Sequence, residues 1–388
     1  LIICFALSVP AMAQRSTRSQ GEVPPPKTKK AAQEQTVPHR SKKRSPQNTG
    51  VVAGQIRPRV FLNPGHGGHD SDDRPCPFYN EGMQARVEYY ESDSNLKGAM
   101  AMKDILRSRG YEVFMSRVNN TTDDDLNLFE IHQLALNSGA DVFFAIHINF
   151  PFAIYRGYDG GGTAEGSEEL AGIVASNLAD CEATSWSRGG LTHGDWSFYR
   201  NRSGLGVFRW NKLPGILVEN CFHDYQIERE RLLNKDYCGL LATINSRSLD
   251  KFFNRPAQQF GMVAGIVRYD YPRKGKRLTS FGKDAYQPLN GVPVELCDLE
   301  GNPIQTYQID NYNNGFYCFT RVRPGRYLVA IDGVEDYELE VKADKTTYYN
   351  VTVVTQPDAV ECEEEITVVH SETTESDESA IANGETGQ

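Results

Sequence analysis

Two kinds of apolar pattern alternate between residues 56 and 255. Short, near-continuous apolar runs in segments 59–63, 141–146 and 215–218 read as buried strands, the pattern of a central parallel sheet. Between them, apolar residues recur at helical spacing. Leu96, Ala99, Met100, Ile105 and Leu106, interrupted by Lys103, mark a helix at about 94–109 that Gly110 stops. A short strand follows at 111–115. Leu126, Phe129, Leu134 and Leu136 mark a helix at about 124–138, capped near Asp123 and ended by Gly139. A Gly-rich loop at 157–162 precedes a helix at 167–179. Residues 185–212 read as irregular, and 227–253 as helical throughout. Strands and helices in this order give an α/β fold with a mainly parallel sheet flanked by helices.

The period changes at 260. Strands are expected at 262–269, 292–297, 305–309, 315–319, 325–331, 337–341 and 348–353, separated by turn signals such as Asn313, Asn314 and Gly315. Many short strands without helices read as a small all-β sandwich over 260–355.

The ends differ from both. Residues 1–10 are apolar, and Ala11, Met12 and Ala13 fit a cleavage site before Gln14, as in the remnant of a secretory signal peptide over 1–13. Residues 14–55 are rich in Pro, Lys, Arg, Gln and Ser and read as a basic disordered linker. Residues 356–388 are acidic, lack Lys and Arg, and read as a disordered tail. The charge is unevenly spread, basic near one end and acidic at the other, and no basic, aromatic-laced face suggests nucleic acid. No run is long enough for a transmembrane anchor in the mature chain. Export to the periplasm or cell envelope, or secretion, is the expectation. Cys76, Cys181, Cys221, Cys238, Cys297, Cys318 and Cys362 follow the cleavage site and match no zinc ribbon or CxxC pair. Cys297 and Cys318, on strands expected to be neighbours, are the first disulfide candidates.

In an open α/β sheet the usable crevice lies at the carboxyl ends of the strands. His66 follows the first strand, His147 ends the central one, Glu219 ends another, and Glu91 stands just before a helix. Two imidazoles and a carboxylate are a catalytic zinc set that leaves a place for water. Zinc lowers that water's pKa to about 7, and a second carboxylate can relay its proton. Glu91 suits the ligand role and Glu219 the relay. Asn149, His193 and His223 are candidate substrate-binding residues. Glu88 is a rival ligand, and Trp186, Trp196, Tyr199 and Trp210 are candidate groove residues. His69 and His132 read as ordinary surface positions.

In order along 57–253, these residues resemble the zinc-dependent N-acetylmuramoyl-L-alanine amidases of the type 3 class. NPGHGGHD at 63–70 looks like that family's PGHGGxD opening, and ESDSNL at 91–96 looks like its E-x-D-x-N-L. ADVFFAIHIN at 140–149 is similar to its strand ending in S-I-H-x-N, and LPGILVEN at 213–220 resembles its P-x-x-L-V-E. Ala145 stands where Ser is usual, and His132 where Arg is expected. The resemblance implies a peptidoglycan hydrolase that uses Zn2+ to cleave the amide between N-acetylmuramic acid and L-alanine. His66, Glu91 and His147 would be ligands and Glu219 the catalytic acid–base. Residues 262–355 resemble carboxypeptidase-regulatory-like, or prealbumin-like, sandwiches, which implies an envelope protein or polymer as partner. Two rivals stand beside this reading. A zinc carboxypeptidase would need HxxE, but His69 stands three residues after His66. A non-catalytic cell-wall-binding protein need not hold a metal.

Overall fold

A computed structural model describes residues 57–71, 73–149, 152–157, 165–184, 191–199, 204–274 and 282–354. The signal peptide, the linker, the acidic tail, most of the Gly-rich loop, Trp186 and Cys362 lie outside the described residues.

The first half contains strands β1 (Arg59–Pro64), β2 (Phe78–Asn80), β3 (Ala85–Val87), β4 (Glu112–Met115), β5 (Val142–His147), β6 (Phe152–Tyr155), β7 (Thr192–Gly194) and β8 (Gly215–Glu219). Its helices are α1 (Glu91–Ser108), α2 (Leu128–Ser138), α3 (Ser167–Ala179), α4 (Asp195–Tyr199), α5 (Gln226–Leu233) and α6 (Lys235–Phe252). Six strands form one sheet in the order β4-β1-β5-β8-β6-β7. β4, β1, β5 and β8 are parallel, and β6 runs antiparallel to β8. The α/β reading therefore holds, with a mixed edge.

The apolar runs mean what their lack of alternation suggested. On β5, Val142, Phe144 and Ile146 enter the core under α1, α3 and α6, while Phe143 and Ala145 enter the core under α2. β1 and β8 divide in the same way, with Phe61 and Leu217 on the α2 side.

Local chemistry moves several boundaries. Residues Thr122–Asp124 form a separate short 3₁₀ turn capped by Thr121. α2 begins four residues later than expected, because Asn127 caps it and Glu130 closes a capping box. The long helical stretch after 226 breaks at Asn234, whose side chain accepts from the backbone N–H groups of Asp236 and Tyr237. α1 starts at Glu91 itself, whose N–H donates to the Asp73 carbonyl.

The second half is all β: β9 (Gly261–Pro272), β10 (Tyr286–Pro288), β11 (Pro293–Cys297), β12 (Pro303–Gln308), β13 (Phe316–Val322), β14 (Gly325–Ile331), β15 (Tyr337–Val341), β16 (Thr346–Tyr348) and β17 (Val351–Val353). β10, β9, β13, β16 and β17 form one sheet, and β12-β11-β14-β15 form another. β9 is buried on both faces. Val263 and Val267 enter the core shared by the two sheets, while Met262, Ala264 and Ile266 join Phe316 in the core beneath the helices. The six described cysteines are all free thiols. Cys297 and Cys318 do not pair: Cys318 enters the core beneath the helices, while Cys297 lies on β11 of the other sheet.

A buried polar seam joins the two halves. Arg231 on α5, 1% exposed, donates through both terminal nitrogens to Asp284 at 3.0 Å and also reaches Glu228 at 3.3 Å. Arg273 pairs with Glu230 at 2.6 Å, and Asn313 and Asn314 also bond Glu230. Such charges hold each other; removing one partner strands the other in the interior.

Phe316 packs edge-on against Tyr237 of α6 and is fully buried. Phe316→Ala is expected to cost about 3–5 kcal/mol, measured by denaturant unfolding. Both halves should melt in one transition, and separate transitions would contradict the shared core.

Candidate metal centre

The site is built where three parallel strands end. After β1 the chain turns through Gly65, and His66 adopts a left-handed backbone with φ 60°. Gly65 is required by space. A Cβ there would lie 2.1 Å from the ring of His147, which ends β5. Register puts His147 beside Glu219 of β8.

Glu91 reaches this edge from the first turn of α1 and is 1% exposed. Its Oε2 is 3.4 Å from His66 Nε2, and its Oε1 is 3.3 Å from His147 Nδ1. One donor atom from each of these three residues fits within a 4.8 Å span. Zinc bonds of about 2.0–2.2 Å in a tetrahedron set ligand–ligand edges near about 3.3–3.6 Å, so the spacing fits a divalent ion. The donor types fit as well: two imidazole nitrogens and one carboxylate. Burial lowers the pKa of His147 and keeps it neutral. Burial would also lower that of His66, but the Glu91 carboxylate outweighs it and holds the imidazole above its usual range. Burial would raise Glu91, but the surrounding imidazoles, His66 foremost, hold it well below the usual carboxylate range.

Neighbours fix these three candidate ligands. The Glu91 Oε1 also accepts from Asn95 Nδ2 at 3.2 Å and from the Ile148 N–H at 3.0 Å. The same Asn95 amide donates to the Gly65 carbonyl. Arg117, 5% exposed, donates to the carbonyls of Pro64, Gly65 and Ser92 at 3.2, 3.1 and 2.9 Å. Ser92 Oγ donates to the Gly68 carbonyl. Arg117 thus ties the histidine turn to the start of α1, a role that sequence reading missed. Its signal is geometric: it serves backbone carbonyls far from it in the chain.

Glu219 stands apart from these bonds. Its Oε2 is shielded from solvent and has no hydrogen-bond partner, while the backbone N–H of Asn149 donates to the carboxylate. Burial first, then the charge of Glu91, pushes its pKa well above the usual range. It can hold and give up a proton beside the ligand set.

The other candidates lie in different places. His223 is 6% exposed, faces Glu91 with Nε2 at 3.6 Å from Oε2, and stacks on Tyr89. His193, on β7, packs edge-on against Phe152, the register partner of Glu219. Glu88 pairs with Arg86 rather than with a histidine. His69 bonds Asp93 at 2.9 Å and stacks on Tyr90. Trp196 lies against Arg156, beyond the end of antiparallel β6 and hence at the opposite edge of the sheet. Trp210 packs with Phe129 and His132 on the α2 side.

Residues 60–250 match the Amidase_3 family, N-acetylmuramoyl-L-alanine amidase. The chain is 26% identical over 203 residues to the sporulation-specific N-acetylmuramoyl-L-alanine amidase of Bacillus subtilis (strain 168), covering 50% of this chain and 68% of that protein. It is 25% identical over 205 residues to N-acetylmuramoyl-L-alanine amidase CwlM of Bacillus licheniformis, covering 50% and 69%. A solved amidase from Clostridium difficile 630 superposes with a TM-score of 0.40 and 25% identity, over 51% of this chain and 97% of that one. Residues 60–250 are an N-acetylmuramoyl-L-alanine amidase domain, and the chain is an enzyme of that class.

Proposed function

We propose that this protein is an exported, zinc-dependent amidase that releases stem peptides from peptidoglycan. The carrying observation is the meeting of His66, Glu91 and His147 within one ion's reach, with Glu219 alongside. These three residues would hold the ion at the carboxyl edge of the sheet. A zinc ion held there supplies Lewis acidity, bringing a water to a pKa of about 7 and polarising the scissile carbonyl.

Glu219 does the proton work. Its unpartnered Oε2 accepts the proton of the attacking water, and its raised pKa lets it keep that proton until the amine leaves. The proton then passes to the nitrogen of L-alanine as the bond to the lactyl carbonyl breaks. Asn149 orients Glu219 through its backbone N–H. His193 flanks the far side of Glu219 behind Phe152, where substrate contact is open to it. His223 backs Glu91 and reaches substrate only past that ligand.

The compartment and the role of the all-β half belong to the same reading. No helix among the described residues is long and apolar enough to cross a membrane. The sequence of the all-β half resembles carboxypeptidase-regulatory-like modules, and the outer face of the β12-β11-β14-β15 sheet suits a wall polymer or envelope protein.

Digestion of purified peptidoglycan should release peptides with a new amino-terminal alanine, identified by mass. Chelation should stop release and zinc restore it. Glu219→Ala should keep stoichiometric metal and lose about 10²–10⁴-fold in turnover; parental turnover in that variant would remove Glu219 from its role. Gly65→Ala should displace the His147 ring and give folded protein with little bound metal. Full metal occupancy in Gly65→Ala would contradict the assigned ligand geometry.

A further inference from the structure

The loop between the histidine turn and α1 holds a cation that the reaction above leaves unused. Arg74 lies between two pinned neighbours. Asp73, before it, is 2% exposed and accepts from the N–H groups of Gly67 at 2.7 Å and Asp70 at 2.8 Å. The Asp73 carbonyl accepts from the Glu91 N–H at 3.1 Å. Pro75, after it, bridges to Tyr90, and the Cys76 N–H donates to the Tyr89 carbonyl at 2.8 Å. Arg74 is therefore fastened against the turn that carries one ligand and the helix start that carries another. Its φ of 56° lies in the left-handed region, a conformation that persists where the surroundings impose it.

The side chain is half-buried, and its charge acts on His66, His147, Glu219 and His223. Among the described residues its guanidinium has no hydrogen bond and no ion pair. Two of the described acids around it are engaged elsewhere: Asp73 with the backbone, Glu91 with imidazoles, Asn95 and Ile148. A planar fork of donors beside this ligand set, with no ion pair to a described acid, matches a carboxylate in shape and charge.

We propose that Arg74 binds a free carboxylate on the peptide side of the scissile amide, so that the enzyme selects acidic stem peptides over amidated ones. The inference rests on the amidase reading. It makes Arg74 a specificity-determining residue rather than a counter-charge for the site.

The test uses the full chain, zinc-loaded, and two soluble N-acetylmuramoyl-L-alanyl peptides. They differ only in whether the residue after alanine bears a free carboxylate or a carboxamide. The parent should favour the carboxylate in kcat/KM by about tenfold or more, chiefly through KM. In Arg74→Met that ratio should collapse toward one, and Arg74→Lys should keep part of it. Calorimetric binding of the two released peptides should show the same ratio in the parent and lose it in Arg74→Met. Equal use of both substrates by the parent overturns the proposal. So does an unchanged ratio in Arg74→Met, the result expected if the arginine only offsets the charges of Glu91 and Glu219. If the parent cleaves neither substrate, the amidase reading itself falls, an outcome distinct from a lost preference.

Discussion

A carboxylate almost shut off from water and ringed by three imidazoles is the feature on which this structure turns. Glu91 is 1% exposed, with His66, His147 and His223 all within 3.6 Å. An isolated buried carboxylate is strongly disfavoured, and it survives ionised only where cations or strong donors answer it. Here the neighbours supply both, and their spacing leaves room for an ion to do the same. The arrangement also separates two acids by environment. Glu91 is held charged by its partners, while Glu219, a short distance away, is pushed toward its protonated form by burial and by the Glu91 charge itself. One fold edge thus sets two carboxyl groups in opposite electrostatic surroundings.

The scaffold keeps that edge in place by unusually direct means. The ring of His147 occupies the space where Gly65 has no side chain. Arg117 gathers three carbonyls from two elements, and Asn95 joins the same turn to the Glu91 carboxylate. Support extends into the all-β half. Glu228 of α5 accepts the backbone N–H of Phe222, just past Glu219, and is itself held by Arg231, which Asp284 pins from beyond β9. The loop that follows Glu219 therefore leans on charges from both halves. A buried chain of this kind gives up stability if any member is lost, so it fixes geometry at the cost of tolerance.

Much of this was legible in the residues, and the reasons for the rest are physical. Near-continuous apolar runs marked β1, β5 and β8, and the topology of α/β sheets then put His66, His147 and Glu219 on one edge. Breaks set by side-chain capping were less visible. Asn234 interrupts a helix whose apolar spacing continues on either side, and Asn127 delays α2 although Leu126 fits its stripe. The hairpin of β2 and β3 is too short to show a period. Cys297 and Cys318 seemed neighbours in the strand count, but strand order within sheets is not written in chain order. Arg117, Arg74 and the Arg231 seam were silent for the same reason: their meaning lies in contacts between distant segments.

The most direct test of the account is anomalous diffraction from the metal-loaded protein at the zinc edge. A single peak is expected within about 2.0–2.2 Å of one donor atom each from His66, Glu91 and His147, with Glu219 outside bonding distance. A peak bound instead by Glu219 or His223 without one of those three, or no ordered peak in fully loaded protein, would contradict it.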